Sequence, residues 1–154
     1  MIRVALAVVL LVAVAGVAFS AVDAGRHDRT AARLDAGVER VERAARLLVD
    51  RDDPTATGVP GARRVVSLRL PARSLANAGV ARVALRGGDD EVRYRLDGGR
   101  ARRHALPVDL RTPDGPVVLH TAGRHRLRLG LVGTPAGVRV ARAGPGGEAR
   151  VETG

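Results

Sequence analysis

The sequence predicts an α+β protein: an N-terminal transmembrane helix continues into an amphipathic helix, and an antiparallel β-rich domain follows. Three observations predict this fold class. They are an uncharged apolar run near the N-terminus, an apolar stripe at heptad spacing, and period-two alternation beyond residue 63. We therefore divide the chain into an anchor over residues 1–23, an amphipathic helix over 24–53, a linker over 54–62 and a basic β-rich domain over 63–154.

The run from Val4 to Val22 contains nineteen residues and no charge. A helix of about twenty apolar residues crosses the hydrocarbon core of a bilayer, so this run predicts direct contact with lipid. The side chains expected to hold the anchor in lipid include Val4, Leu10, Leu11, Val17 and Val22. Arg3 and the amino terminus precede the run, so we expect a single-pass protein with its N-terminus in the cytoplasm and its C-terminal domain outside.

A cleaved signal peptide is the alternative interpretation of this run. Ala18-Phe19-Ser20 fits the small-x-small pattern of a cleavage site, and Val22-Asp23-Ala24 fits it less well. The apolar run is longer than the roughly seven to fifteen residues usual in a signal core, which favours retention. Both interpretations leave residues 25–154 outside the cytoplasm, as a secreted domain if cleavage occurs. Because the chain has no cysteine, a lipoprotein anchor is not expected.

Residues 26–53 carry apolar side chains at alternating steps of three and four, which is the spacing of one helix face. These positions are Ala31, Leu34, Val38, Val41, Ala45 and Leu48. We expect this stripe to pack on the protein's own sheet; pairing with a second copy or a partner helix is the alternative, although the stripe is short for a coiled coil. Gly25 and Gly37 permit a continuous helix up to Asp53, and Pro54 ends it.

From Arg63 onward the pattern alternates between apolar and polar residues, as in strands with one buried and one solvated face. The clearest segments are Val66–Leu70, Val80–Arg86, Glu91–Leu96, His125–Leu129 and Val138–Val140. Turn residues separate them at 87–90, 97–99, 112–116, 133–135 and 144–147, while 71–79 forms a longer connection. Seven or eight short strands are predicted, arranged as a meander or a small sandwich.

The net charge of +10 belongs to this β-rich part of the chain. Residues 54–154 contain eighteen arginines and eight acidic residues, and the protein has no lysine. This charge favours anionic partners such as a cell-surface polymer or lipid headgroups. Strand arginines that could form such a binding surface are Arg69, Arg82, Arg93, Arg95, Arg126 and Arg128. The alternative is that they only solvate strand faces and protect sheet edges from pairing.

No pattern in the chain points to catalysis, a cofactor or a metal. The four histidines form no HExxH pair, although His120 and His125 flank a turn, and Ser67 and Ser74 lack a GxSxG context. Tyr94 is the one aromatic ring outside the apolar run, so stacking of nucleic acid bases is not expected. We therefore expect a protein that is not an enzyme and binds neither nucleic acid nor a small-molecule substrate.

The order of apolar helix, amphipathic helix and β-rich head resembles type IV pilin-like and pseudopilin-like proteins. The corresponding parts are Val4–Val22, Ala24–Asp53 and Arg63–Glu152. The stretch Gly58–Val66, followed by Leu68–Pro71, is similar to small uncharacterised membrane proteins of haloarchaea. The resemblance implies an accessory component of a pilus or secretion system with protein partners in a membrane assembly.

Overall fold

The computed structural model describes residues 2–53, 61–133 and 136–143, and it has the predicted α+β layout. Its helix is α1 (Ile2–Arg51). The strands are β1 (Arg63–Leu70), β2 (Val80–Arg86), β3 (Glu91–Leu96), β4 (Ala101–Ala105), β5 (Leu110–Arg111), β6 (Val117–Leu119), β7 (Gly123–Val132) and β8 (Gly137–Arg142). Most of the predicted linker, the turns at 134–135 and 144–147, and the rest of the C-terminal segment lie outside the described residues.

The helix α1 runs without a break through both predicted helical segments. Its 50 residues correspond to a length of about 75 Å at 1.5 Å per residue. Alanine, leucine and arginine are strong helix formers, and they outweigh the three glycines at 16, 25 and 37. The prediction of one continuous helix is therefore confirmed.

The second half of α1 buries its apolar stripe inside the β-rich domain. All six stripe residues are buried, and they belong to one core cluster together with side chains from the strands. The expectation that the stripe packs on the protein's own sheets is confirmed. The alternative prediction of a coiled coil through the same stripe is wrong for this structure, because side chains of the strands already cover the stripe.

The strands form two four-stranded sheets, in the orders β1-β7-β8-β5 and β4-β3-β2-β6. Apolar side chains of both sheets enter the same core, so the arrangement is closer to a small sandwich than to a single meander. One pairing departs from the antiparallel expectation, because the two-residue strand β5 pairs parallel with β8. The chain reaches β5 after β4, at the edge of the other sheet, and this crossover sets the parallel direction.

The core contains leucine, valine and alanine, with Tyr94 as its one aromatic ring. Alternation holds clearly in β7, where Leu127, Leu129 and Leu131 are buried, whereas Arg126 and Arg128 face outward. Gly37 allows the helix to approach β1 closely, because an added Cβ would lie 2.6 Å from Leu68 Cδ1. The missing side chain at residue 37 therefore sets the helix–sheet spacing.

Candidate anion-binding surfaces

The buried stripe of α1 is bordered by two charged strips. An acidic flank consists of Asp28, Asp35 and Glu42, and a basic flank consists of Arg26, Arg33 and Arg40. Each set is spaced by seven residues, which is close to two helical turns, so its members share one side of the helix. Sequence reasoning missed both flanks, although their heptad spacing is readable beside the apolar stripe.

The acidic flank contacts the second sheet. The Tyr94 hydroxyl donates to Asp35 Oδ1 at 2.5 Å, and Arg102 Nη1 lies 4.0 Å from Asp35 Oδ2. His104 Nε2 lies 2.8 Å from Glu42 Oε2, and this hydrogen bond lowers the pKa of the Glu42 carboxyl. Burial, followed by the contact with Asp35, raises the pKa of Tyr94 to about 12. These carboxylates are therefore used to fix the helix against β3 and β4.

The basic flank borders an open groove of about 980 Å³ between α1, the end of β1 and the following connection. Its charged lining side chains are Arg33, Glu39, Arg40, Arg43 and Arg69. Glu39 lies 3.6 Å from Arg43, and Arg33 donates to Asn77 Oδ1 at 2.6 Å. Among the described residues, no carboxylate lies within 4 Å of Arg40 or Arg69. This basic groove is therefore a concave surface that can attract anions.

The structure does not bring the six predicted arginines together on one surface. Arg69, Arg126 and Arg128 lie on the outward face of the first sheet, and Arg82, Arg93 and Arg95 lie on the outward face of the second. Alternation correctly places each side chain on a solvated face. It cannot tell which strands share a sheet, because strand pairing depends on contacts that are distant in sequence.

The first sheet carries the more exposed positive charge. Arg124, Arg126 and Arg128 follow one another on the outward face of β7, with a spacing of about 6.8 Å between successive residues. Arg69 lies directly opposite Arg124 in the β1–β7 register. Within the described residues, none of these four arginines forms an ion pair. We call these four arginines the β7 column. Like charges opposite each other repel, so the β7 column favours an anion that would relieve the repulsion.

Part of the positive charge on the second sheet is paired with carboxylates. Arg93 forms ion pairs with Asp89, at 3.5 Å, and with Glu91. Arg82 and Arg95 face each other in the β2–β3 register beside a shallow depression of about 230 Å³. This face therefore offers a weaker anion site than the β7 column.

Three of the four histidines, namely His27, His104 and His125, form hydrogen bonds with the protein itself. His27 places Nδ1 2.9 Å from the Asp23 carbonyl oxygen and Nε2 2.9 Å from the Asp97 carbonyl oxygen. Both carbonyls accept only, so the doubly protonated ring satisfies both contacts and the pKa of His27 is raised. His125 Nε2 lies 2.7 Å from the Thr121 carbonyl oxygen. No group of three or more potential metal ligands occurs among the described residues.

The side chains expected to hold the anchor are all exposed in the isolated chain. Their exposed fractions run from 53 % at Val22 to 70 % at Val4 and Val17, with Leu10 and Leu11 between these values. The apolar part of α1 has a mean hydropathy of 2.7 over eighteen residues, and none of that window is buried by the protein. A helix of this kind is compatible with insertion in a lipid bilayer, as a membrane anchor or as a signal sequence.

Comparison with known proteins gives one family. The family model described as a domain of unknown function (DUF7311) matches residues 1–145. No curated protein and no solved structure matches the chain. The match extends over the apolar helix and the β-rich domain together, so both parts belong to the same family unit.

Proposed function

Because the chain belongs to the DUF7311 family, a domain of unknown function, we propose its role from geometry: it is a non-enzymatic, membrane-anchored protein that holds its β-rich head outside the cytoplasm. The observation that carries the proposal is the unbroken helix Ile2–Arg51. Its first half is exposed and apolar, and its second half is built into the head. A head fixed to a spanning helix in this way has a defined orientation at the membrane.

The accessory role in a pilus or secretion system belongs to this proposal. The pilin-like order of apolar helix, amphipathic helix and head supports it. Because the apolar stripe of residues 31–48 is covered by the head, protein partners would contact the apolar segment of residues 4–22 or the head surface instead. Cross-linking in native membranes followed by purification should recover such partners, and a reproducibly lone monomer would contradict the assembly role.

The anchor and its orientation can be tested separately. After alkaline carbonate extraction the full chain should stay in the membrane pellet, with an intact mass that includes residues 1–24. Because the protein has no cysteine, Gly88→Cys gives a single labelling site on an exposed turn. An impermeant maleimide should label this site in intact cells. Labelling only after permeabilisation contradicts the orientation, and a soluble chain contradicts the anchor.

The second candidate function is capture of an anionic polymer or headgroup by the β7 column, favoured by its arginines without ion pairs. Such binding should weaken steeply with salt, because exposed charges are screened beyond about 8 Å at physiological ionic strength. Dextran sulfate, with neutral dextran as the control ligand, provides the probe. The pair Arg126→Gln and Arg128→Gln should weaken binding more than the matched pair Arg82→Gln and Arg95→Gln. Binding to both dextrans alike, or no binding at low salt, would refute this function.

A further inference from the structure

The contacts between α1 and the strands define which end of the head lies nearest the apolar segment. Arg64, near the start of β1, pairs with Asp52 at 3.6 Å, whereas Leu68 further along β1 reaches Gly37. The strand β1 therefore runs back along α1, toward the apolar segment. The connection 71–79, which follows β1, is consequently at the end of the head nearest the apolar segment; we call this the proximal end.

Two loops of the proximal end are fixed directly to α1. The amide of Ala78 donates to Thr30 Oγ1 at 3.0 Å, and the Asp97 carbonyl oxygen contacts His27. His27 and Thr30 follow Val22 by five and eight residues, which corresponds to about 8 and 12 Å along the axis. The headgroup layer on each side of the hydrocarbon core is roughly 5 to 8 Å thick. With Val22 at the edge of the hydrocarbon core, these loops lie against the headgroups.

The proximal end of the head carries more positive than negative charge. Within the described residues, its arginines are Arg26, Arg29, Arg33, Arg73, Arg100 and Arg124, and its carboxylates are Asp23, Asp28 and Asp97. At the opposite, far end, the carboxylates of the β-rich domain are balanced by arginines. The carboxylates there are Asp89, Asp90, Glu91, Asp109 and Asp114, and the arginines include Arg63, Arg64, Arg86, Arg111 and Arg139. The net positive charge of the proximal end attracts an anionic surface.

An exposed leucine lies at the tip of the proximal connection. Leu75 is 90 % exposed, the largest such fraction among the exposed large apolar side chains described. The loop around it is ordered by hydrogen bonds, since Ser74 Oγ accepts from the amides of Ala76 and Asn77, and Asn77 binds Arg33. An apolar side chain held outward beside arginines is the combination found on surfaces that bury a few ångströms into the interface of a bilayer.

We propose that the proximal end of the head, with Arg29, Arg73, Arg100 and Leu75 as its contact residues, docks on anionic phospholipid headgroups of the bilayer that holds the chain's own apolar helix. This inference rests on the proposed anchor. Docking restricts the tilt of the head and leaves the β7 column directed away from the helix. The arginines contribute charge attraction, and Leu75 loses its contact with water.

The test uses the full chain in nanodiscs of phosphatidylcholine alone or of phosphatidylcholine mixed with phosphatidylglycerol. A bimane fluorophore on Leu75→Cys reports contact through quenching by lipids that carry a nitroxide headgroup. Gly88→Cys, on the exposed turn at the far end, is the matched control position. We expect strong quenching at residue 75 in the anionic discs, less in the neutral discs, and little at residue 88 in either. High salt should reduce quenching at residue 75.

Charge reversal tests whether the three proposed contact arginines contribute to docking. In the Leu75→Cys background, Arg29→Glu, Arg73→Glu and Arg100→Glu together should return quenching to its value in neutral discs, since each arginine near an anionic surface changes docking about fivefold. A control with the same total charge, Arg63→Glu, Arg103→Glu and Arg139→Glu, should leave quenching unchanged. Equal quenching in both lipids, or equal loss in both triple variants, would overturn the docking. A chain that does not co-purify with nanodiscs would instead overturn the anchor itself.

Discussion

The two halves of α1 belong to one continuous helix, but they have opposite environments. Residues 4–22 carry no charge on any side and are largely exposed in the isolated chain, whereas residues 26–51 are apolar on one stripe and bury it in the head. The difference shows that the spacing of apolar residues, rather than helix propensity, determines whether each half is exposed or packed on the sheets. A helix that is apolar all round suits lipid, and a striped helix suits the surface of a protein core.

The largest expected effect comes from damaging the striped half. Leu34 is fully buried in the core, so Leu34→Ala should destabilise the head by about 2–5 kcal/mol through lost transfer free energy and a cavity. Denaturant unfolding of the head in nanodiscs measures this, while membrane association should not change. The control is Leu75→Ala, which should alter stability by no more than about 0.5 kcal/mol because the side chain is exposed. Similar effects from both variants would contradict the assigned core.

The apolar half should respond in the opposite way. Leu11→Arg puts a charge near the centre of the run, and insertion should become less favourable by about 2.5–3.5 kcal/mol. We expect a larger fraction of the chain to be extracted by alkaline carbonate, with no change in the unfolding of the head. Val4→Arg is the matched control, since a long side chain near the end of the run reaches the interface. If Leu11→Arg destabilised the head instead, the separation of the two halves would be wrong.

The features predicted correctly from sequence depend on local patterns. The continuous helix, the buried stripe ending at Leu48 and the outward arginines of β7 all follow from periods of 3.6 or two residues. Each can be seen within a window of about ten to twenty residues. Neither long-range pairing nor tertiary contacts are needed to recognise them.

The features that were missed depend on contacts between distant segments. Arg69 and Arg82 are thirteen positions apart, yet they lie on different sheets, because β1 pairs with β7 while β2 pairs with β3. The parallel pairing of β5 with β8 also follows from a crossover that no local pattern reports. The proximal basic end became visible only when the strand directions were known relative to α1.

Replacing one glycine in each half of α1 should change stability in opposite directions. At Gly25 an added Cβ meets nothing within 4 Å, so Gly25→Ala should stabilise the helix by up to about 1 kcal/mol. At Gly37 the added Cβ meets buried Leu68, and overpacking of about 1–3 kcal/mol exceeds that gain, so Gly37→Ala should destabilise the head. Thermal unfolding of the two variants in the same nanodiscs measures both. Stabilisation by both would show that the helix does not approach β1 closely.

The smallest expected effect concerns His27, which lies where the two halves meet and joins α1 to the β3–β4 turn. Hydrogen bonds to the carbonyl oxygens of Asp23 and then Asp97 raise the pKa of His27, and the Asp23 carboxylate 3.5 Å away raises it further. Burial and the charge of Arg26 lower this pKa, but the raising effects are larger. Because the pKa of His27 is higher in the folded state, its protonation stabilises the folded protein. This stabilisation is complete below the unfolded-state pKa of about 6.5 and is lost as the pH rises through the folded-state pKa. The turn should therefore be better protected from hydrogen exchange at about pH 5.5 than at about pH 8.5, after correction for intrinsic rates.

His27→Ala should abolish the difference, whereas His125→Ala, which removes a ring bonded to one carbonyl near β7, should preserve it. Equal protection of the wild-type turn at both pH values would mean that protonation of His27 does not stabilise the contact between α1 and the β3–β4 turn.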